Sequence, residues 1–104
     1  MKAVTDADFE TAVLKSDKPV LVQYWAQWSD PSRTFSPVVQ EIATEQADKL
    51  VTVKMNVDTN PLTTEEFGVT DLPTLLVFQN GEMVKKIVGA KPKSALLRDL
   101  ATFI

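Results

Sequence analysis

The 104-residue sequence contains no cysteine and no histidine, and these two absences exclude several kinds of chemistry. Without cysteine there can be no disulfide framework, no thiolate metal site and no thiol nucleophile. Without histidine the chain lacks the commonest metal ligand and the usual general base at neutral pH. We therefore expect no metal site and no cofactor.

Long apolar runs and basic clusters are missing as well. A transmembrane helix needs a run of about 18 apolar residues, and the sequence has none. The N-terminus turns acidic at Asp6 and lacks the apolar core of a signal peptide. A net charge of -3, with no cluster of lysine and arginine, argues against nucleic acid. We expect one domain over residues 1–104, cytoplasmic and monomeric, with no membrane or nucleic-acid partner.

The sequence is organised around an apolar run, residues 20–25, which reads Val-Leu-Val-Gln-Tyr-Trp. A continuous run of β-forming residues is typical of a central strand that is covered on both faces. Gln23 is the exception, because burying its amide costs free energy unless the amide finds a hydrogen-bond partner. Further strands are predicted at residues 50–57, 75–78 and 83–88, and Asn80-Gly81 predicts a hairpin between the last two.

Helical patterns alternate with these strands. The longest predicted helix covers residues 32–47, with Pro31 in its first turn and Pro37 as the site of a kink. An earlier helix should begin at Thr5 or Asp6, either of which can cap its free N–H groups. Shorter helices are predicted at residues 63–67 and 92–103. The alternation predicts an α/β fold, with a mixed central sheet of four to five strands flanked by four helices on both faces.

One segment resembles the active-site segment of thioredoxins, in which an apolar strand runs into Trp-Cys-Gly-Pro-Cys. This segment reads Trp25-Ala26-Gln27-Trp28-Ser29-Asp30-Pro31-Ser32-Arg33. The resemblance covers nearly the whole chain and implies the thioredoxin fold. It is also carried by other features in the family's order: Pro37, Lys54 with Asn56 and Asp58, Phe67-Gly68-Val69, Leu72-Pro73-Thr74, Asn80-Gly81 and Gly89.

The resemblance implies the positions of the family's site residues. Pro73 should be the family's cis-proline, in a loop that faces residues 29–32. The family's peptide groove would be lined by Trp28, Pro31, Leu72, Pro73 and Gly89, and we call these residues the groove. Trp28 is expected to be a partly exposed wall of it. Asp30 and Asp71 depart from the usual apolar rim of the groove. They are either solvated loop acids or acids that favour the binding of basic partners.

At the positions that the resemblance assigns to catalysis, this chain lacks the residues that the family's chemistry requires. Ser29 and Ser32 stand where thioredoxins carry the cysteines that attack and resolve a substrate disulfide. Gln23 stands where the family has a buried aspartate that handles protons. Lys54 matches the lysine near that aspartate, and we expect it to be partly buried, reaching Gln23 or another oxygen. The chain should therefore have no dithiol–disulfide activity.

Ser29 has a structural interpretation that needs no chemistry. A serine nucleophile requires a positioned base, and only Lys54 is conceivable here. An N-cap role for Ser29, ahead of Asp30 and Pro31, accounts for the residue better.

Two accounts of the serines stay open. In one, the chain is a Cys-to-Ser variant of a thioredoxin, whose parent would reduce protein disulfides, be recycled by a thioredoxin reductase and serve cell redox homeostasis. In the other, it is a natural redox-inactive relative that binds proteins or peptides at the groove. Gln23 favours the second account, and an atypical thioredoxin later stripped of its cysteines would combine the two. A purely structural subunit is a third class that no residue demands.

Overall fold

Five strands form one mixed sheet in the computed structural model, which describes residues 1–104. They are β1 (Lys2–Ala3), β2 (Val20–Trp25), β3 (Val51–Asn56), β4 (Thr74–Gln79) and β5 (Glu82–Val88). Their order across the sheet is β1-β3-β2-β4-β5, so the apolar strand β2 is central as predicted. β3 runs parallel to β1 and β2, whereas β4 is antiparallel to β2 and β5. The predicted mixed sheet is confirmed.

Three α-helices connect or close this sheet: α1 (Asp30–Glu45), α2 (Pro61–Glu66) and α3 (Lys93–Asp99). α1 and α2 begin earlier than predicted, because Ser29 and Asn60 already hold the N-cap positions and a proline fits the first turn that follows. The single helix predicted over residues 92–103 is divided instead, and a 3₁₀ turn at Ala101–Phe103 follows α3. No helix has both the length and the apolar character that a membrane crossing requires.

The N-terminal helix differs most from the prediction. The helical segment is a single π-helical stretch, Glu10–Leu14, and it starts later than Thr5 or Asp6. The Asp6 carboxylate is directed elsewhere: its oxygens accept hydrogen bonds from Leu62 N at 3.0 Å and from Thr63 N at 3.1 Å. It also accepts from Thr63 Oγ1 at 2.8 Å. Asp6 therefore caps α2, far along the chain, rather than the helix that follows it in sequence.

Replacing Asp6 tests this long-range cap. Asp6→Ala leaves the N–H groups of Leu62 and Thr63 without their acceptor, so we expect a loss of about 1–2 kcal/mol in the free energy of unfolding. Urea titration measures the loss. Asp17→Ala is the matched control, because it removes the same charge from an exposed residue outside the hydrogen-bonded and ion-paired groups. Equal stability for the two variants would contradict the cap.

Each face of the sheet carries its own apolar core, because successive side chains of a strand point to opposite faces. On one face β2 contributes Val22 and Tyr24, which pack with an aromatic group of Phe9, Phe67 and Phe78. On the other face β2 contributes Leu21, which packs against α1 and α3 through a cluster that includes Phe35, Val39, Ile42, Leu96 and Leu100. Gln23 shares this second face, beneath α1.

The strand register brings the predicted site residues to one end of the sheet. Trp25, at the end of β2, is paired with Asn56 at the end of β3. On the other side Tyr24 is paired with Thr74 at the start of β4, which is in turn paired with Val88 at the end of β5. The four loops that follow or precede these residues therefore emerge together. They contain residues 26–29, 57–60, 71–73 and 89–92.

Candidate functional site

Ser29 is the N-cap of α1. Its extended backbone (φ -94°, ψ 106°) precedes the helix, and its Oγ accepts a hydrogen bond from Ser32 N at 3.3 Å. Ser29 is 7% exposed and Ser32 is fully buried. The predicted capping role of Ser29 is confirmed, and both hydroxyls face the protein rather than solvent.

The first turn of α1 also contains Asp30 and Pro31, both exposed. The Asp30 carboxylate forms an ion pair with Arg33 on the same turn. An acid at the start of a helix is favourable, since the free N–H groups there carry partial positive charge. The negative charge of Asp30 is thus partly neutralised by the guanidinium of Arg33.

Gln23 has the partner that its burial requires. It is fully buried, and its Nε2 donates to Ser36 Oγ of α1 at 3.2 Å. Sequence reasoning missed Ser36, although it follows Ser32 at the helical spacing of four and so faces the same strand. The amide and the hydroxyl form a neutral pair where the resemblance places an ionisable group.

Lys54 does not make the contact predicted for it. The register sets Lys54 beside Gln23, and the Gln23 amide nitrogen donates to Ser36, but the amide oxygen accepts no hydrogen bond from the Lys54 ammonium. The Lys54 ammonium instead lies 5.7 Å from the centre of the Trp25 ring. An aromatic face attracts a cation at this distance, and no carboxylate competes for the ammonium. The prediction that Lys54 is half-buried is confirmed, whereas the expected contact with an oxygen is wrong.

Trp28 is the largest exposed aromatic surface of the site, with 67% of the residue accessible. Its indole Nε1 donates to the two carboxylate oxygens of Asp58, at 3.0 and 3.2 Å. The hydrogen bonds fix one edge of the ring to the loop after β3 and leave much of the ring exposed to solvent. The exposure predicted for Trp28 is confirmed, and Asp58 is the residue that orients it.

The loop before β4 supplies the other predicted groove residues. The Leu72–Pro73 peptide bond is cis, Leu72 is half-buried and Pro73 is buried. The Pro73 carbonyl accepts from Gly89 N at 2.8 Å, which ties this loop to the end of β5. Asp71 is exposed, and its own carbonyl accepts from Thr74 Oγ1 at 2.6 Å.

Neither serine has a neighbouring group that would activate it for covalent chemistry. Ser29 Oγ is an acceptor in the helix cap, and the Lys54 ammonium lies over the Trp25 ring, hydrogen-bonded to neither serine. Tyr24, the neighbouring ionisable side chain on β2, is buried, and burial raises its pKa to about 12. No general base is positioned to activate either serine.

Comparison with known proteins matches the sequence of this chain to one family. The thioredoxin family matches residues 1–102. The chain belongs to the thioredoxin family. Its five-stranded mixed sheet with flanking helices is the thioredoxin fold, as expected from the sequence, and the family assignment holds although the chain has no cysteine.

Bacterial thioredoxins are similar over nearly their full length. The thioredoxin of Mycobacterium bovis is 54% identical over 101 residues, which cover 97% of this chain and 87% of that protein. The thioredoxin of Streptomyces clavuligerus is 54% identical over 98 residues, covering 94% of this chain and 91% of the relative. A bifunctional thioredoxin reductase/thioredoxin of Mycobacterium leprae is 52% identical over 101 residues, covering 97% of this chain and 22% of that protein.

Proposed function

We propose that this thioredoxin-family chain binds segments of other proteins non-covalently at the groove and does not exchange disulfides. The observation that carries the proposal is the cap geometry at the two serines. Ser29 Oγ is bonded to Ser32 N, and Ser32 is fully buried, so the two positions support α1 rather than react. Gln23 supports it further, because its neutral pair with Ser36 supplies no ionisable proton carrier.

The exposed part of the groove supports a binding role. Trp28 presents a large apolar surface that is already oriented by Asp58, so little side-chain freedom is lost when a partner packs on it. Such rigid aromatic anchors are common centres of binding energy. Val88, which is 51% exposed beside the Pro73 loop, extends the apolar surface.

A second function would belong to a cysteine-bearing parent of this chain. Such a parent would be a protein-disulfide reductase with a thioredoxin reductase as its partner. The Mycobacterium leprae relative is named as both activities in one chain, which makes this partner class reasonable for the parent. The origin of the serines, the cytoplasmic location and the monomeric state stay predictions.

Binding at the groove is tested with a probe protein that cannot form disulfides. The probe is a carboxymethylated, permanently unfolded protein, titrated against the native chain while tryptophan fluorescence is followed. We expect saturable binding that Trp28→Ala weakens by about tenfold or more, a loss of about 1.4 kcal/mol. Met83→Ala is the matched control, because Met83 is an exposed apolar residue at the opposite end of β5.

The outcome also separates the proposed functions. Equal affinity for the native chain and Trp28→Ala would rule out the groove as the binding surface. Reduction of insulin by the native chain above the dithiothreitol background would rule out redox inactivity. Ionic strength is a further variable: if Asp30 and Asp71 select basic segments, added salt weakens binding of a basic probe, because it screens exposed charges.

A further inference from the structure

Leu62 is the most exposed large apolar residue of the protein, with 71% of its surface accessible. It is the second residue of α2, and this helix packs on the sheet through a different residue, the buried Thr63, whose Oγ1 contacts Met55 Sδ at 3.8 Å. Leu62 belongs to neither apolar core. A single exposed leucine is ordinary on a protein surface, but this one lies near a second exposed apolar side chain.

Asp58 connects Leu62 with Trp28 of the groove. The Asp58 carboxylate accepts from the Trp28 indole at 3.0 and 3.2 Å, and Leu62 follows Asp58 by four residues. Four residues of chain span at most about 14 Å between Cα atoms, and the turn into α2 at Asn60 shortens that distance. The exposed apolar surface that begins at Trp28 therefore continues past Asp58 onto α2.

Two glutamates share the exposed side of α2 with Leu62. Glu65 and Glu66 follow Leu62 by three and four residues, the spacing that places side chains on one face of a helix. Both are exposed, and neither forms an ion pair within the protein. Asp58 is also exposed and has no cationic partner. Three acids without a cation therefore lie near Leu62.

The positions of Glu65 and Glu66 are unfavourable for the protein on its own. They lie in the last turn of α2, where the free carbonyls carry partial negative charge and no basic residue is present. Lys86 reaches this end of the helix, but its ammonium donates to the carbonyls of Phe67 and Gly68. Because the fold gains no ion pair from these acids, their placement points to a charge outside the chain.

Free charge on this side of the protein is negative. No lysine or arginine occurs between Lys54 and Lys85, although that stretch of the sequence contains five acids. Basic residues close to the groove are already paired, since Arg33 binds Asp30 and Lys91 binds Asp99. A partner on this side therefore meets exposed acids without competing cations.

We propose that the exposed face of α2, formed by Leu62, Glu65 and Glu66, is a binding surface that continues the groove and takes basic segments of other proteins. Such a segment packs apolar side chains on Trp28 and Leu62, while its lysine or arginine side chains approach the two glutamates and Asp58. A cation in this place also offsets the negative end of α2. The proposal rests on the proposed binding at the groove, which the α2 face extends.

Two cysteine-free peptides test the α2 face. They have the same length and the same leucine residues, and they differ only in carrying lysine or glutamate between the leucines. Each peptide carries a fluorescent label, and its anisotropy reports binding at low ionic strength. We expect the native chain to bind the lysine peptide at least about tenfold more tightly, because like charges that face each other across an interface oppose binding.

Leu62→Ala tests the apolar part of the surface. It should weaken binding of the lysine peptide about fivefold, because it removes one of two apolar anchors. Val84→Ala is the matched control, since Val84 is an exposed apolar residue of β5 that is paired away from the groove end of the sheet. The control should leave the affinity within about twofold of the native value.

The double variant Glu65→Gln with Glu66→Gln tests the charged part. It should weaken binding of the lysine peptide by about threefold to tenfold at low ionic strength, and added salt should reduce this difference. Asp17→Asn with Asp48→Asn is the matched control. It removes the same charge from exposed residues that precede β2 and β3, at the opposite end of the sheet from Asp58.

The variants separate the α2 face from the groove. If Trp28→Ala weakens binding while Leu62→Ala and the glutamine variant bind like the native chain, the groove acts alone and the α2 face is ruled out. If both α2 variants lose affinity and Trp28→Ala does not, the α2 face stands and the groove is ruled out. A marked fall in the melting temperature of the glutamine variant would show that the fold itself uses the two acids, and it would overturn the proposal.

Discussion

Placing cysteine at both serine positions is expected to give this cysteine-free chain disulfide-exchange activity. The double variant Ser29→Cys with Ser32→Cys should form an intramolecular disulfide and reduce insulin well above the dithiothreitol background. Its reduction potential should lie near thioredoxin's, about -270 mV. The change is from no catalysis to catalysis, which makes it the largest functional effect expected for this protein.

The geometry of the cap is the reason for this expectation. Ser29 Oγ lies 3.3 Å from Ser32 N, so the side chain at position 29 already lies against the residue with which it would pair. Position 29 is the N-cap of the 16-residue helix α1, whose free N–H groups stabilise an anion. A thiol in that position should therefore have a pKa lowered from about 8.5 toward about 7.

The measurements are the potential against a glutathione buffer and the rate of insulin reduction. Ser29→Cys alone is the control, because one thiol can attack a disulfide but cannot resolve the mixed product within the chain. A double variant that oxidises poorly, or reduces insulin no faster than the single variant, would show that the segment has moved away from catalysis. The result would also bear on the serines' origin, since a site still tuned for exchange points to a recent or engineered loss.

Sequence reasoning could predict the fold where the signal is local. The apolar run at residues 20–25 was sufficient to identify the central strand, and Asn80-Gly81 identified the hairpin, where both residues have the positive φ that such a turn requires. The start of the first helix was found only in part, because Thr5 Oγ1 accepts from Asp8 N at 3.3 Å as a local cap would, but the helical stretch begins at Glu10. Asp6 looks like a local cap, but its carboxylate binds α2, and that contact depends on a distance in space which no local pattern contains.

The site residues also differ in whether a local sequence pattern could predict their contacts. The cap at Ser29 follows from residue type and position alone, so it was predictable. The contact of Lys54 was not, because a flexible ammonium beside β2 can turn toward the Gln23 amide oxygen or toward the Trp25 ring, and it lies over the ring. The exposure of Trp28 was predictable by resemblance, whereas its hydrogen bonds to Asp58 needed the structure. Spacing identifies the elements, but it does not choose among the neighbours that one side chain can reach.

Gln23→Asp should have the largest effect on stability, and the effect should grow as pH rises above the unfolded-state pKa of the new acid. Position 23 is fully buried, so ionising a carboxyl there is costly and the folded-state pKa of the new acid rises above the unfolded value of about 3.9. Below the unfolded-state pKa the new acid is protonated in both the folded and the unfolded chain, so folding buries no charge. As pH rises toward the folded-state pKa, the unfolded chain releases its proton first and stability falls. A rise of two pKa units would correspond to about 2.7 kcal/mol.

Gln23→Asn isolates the charge from the shortened side chain. Both variants lose the reach to Ser36 in the same way, so their difference in unfolding free energy contains mainly the cost of ionisation. We expect that difference to be small at pH 3.5 and to grow to several kcal/mol at pH 8, measured by urea titration. Equal curves at both pH values would mean that Lys54 turns from Trp25 to neutralise the acid. The interior would then still accept the charge that the family's buried aspartate carries, and Gln23 could not be taken as evidence of a site that has left catalysis.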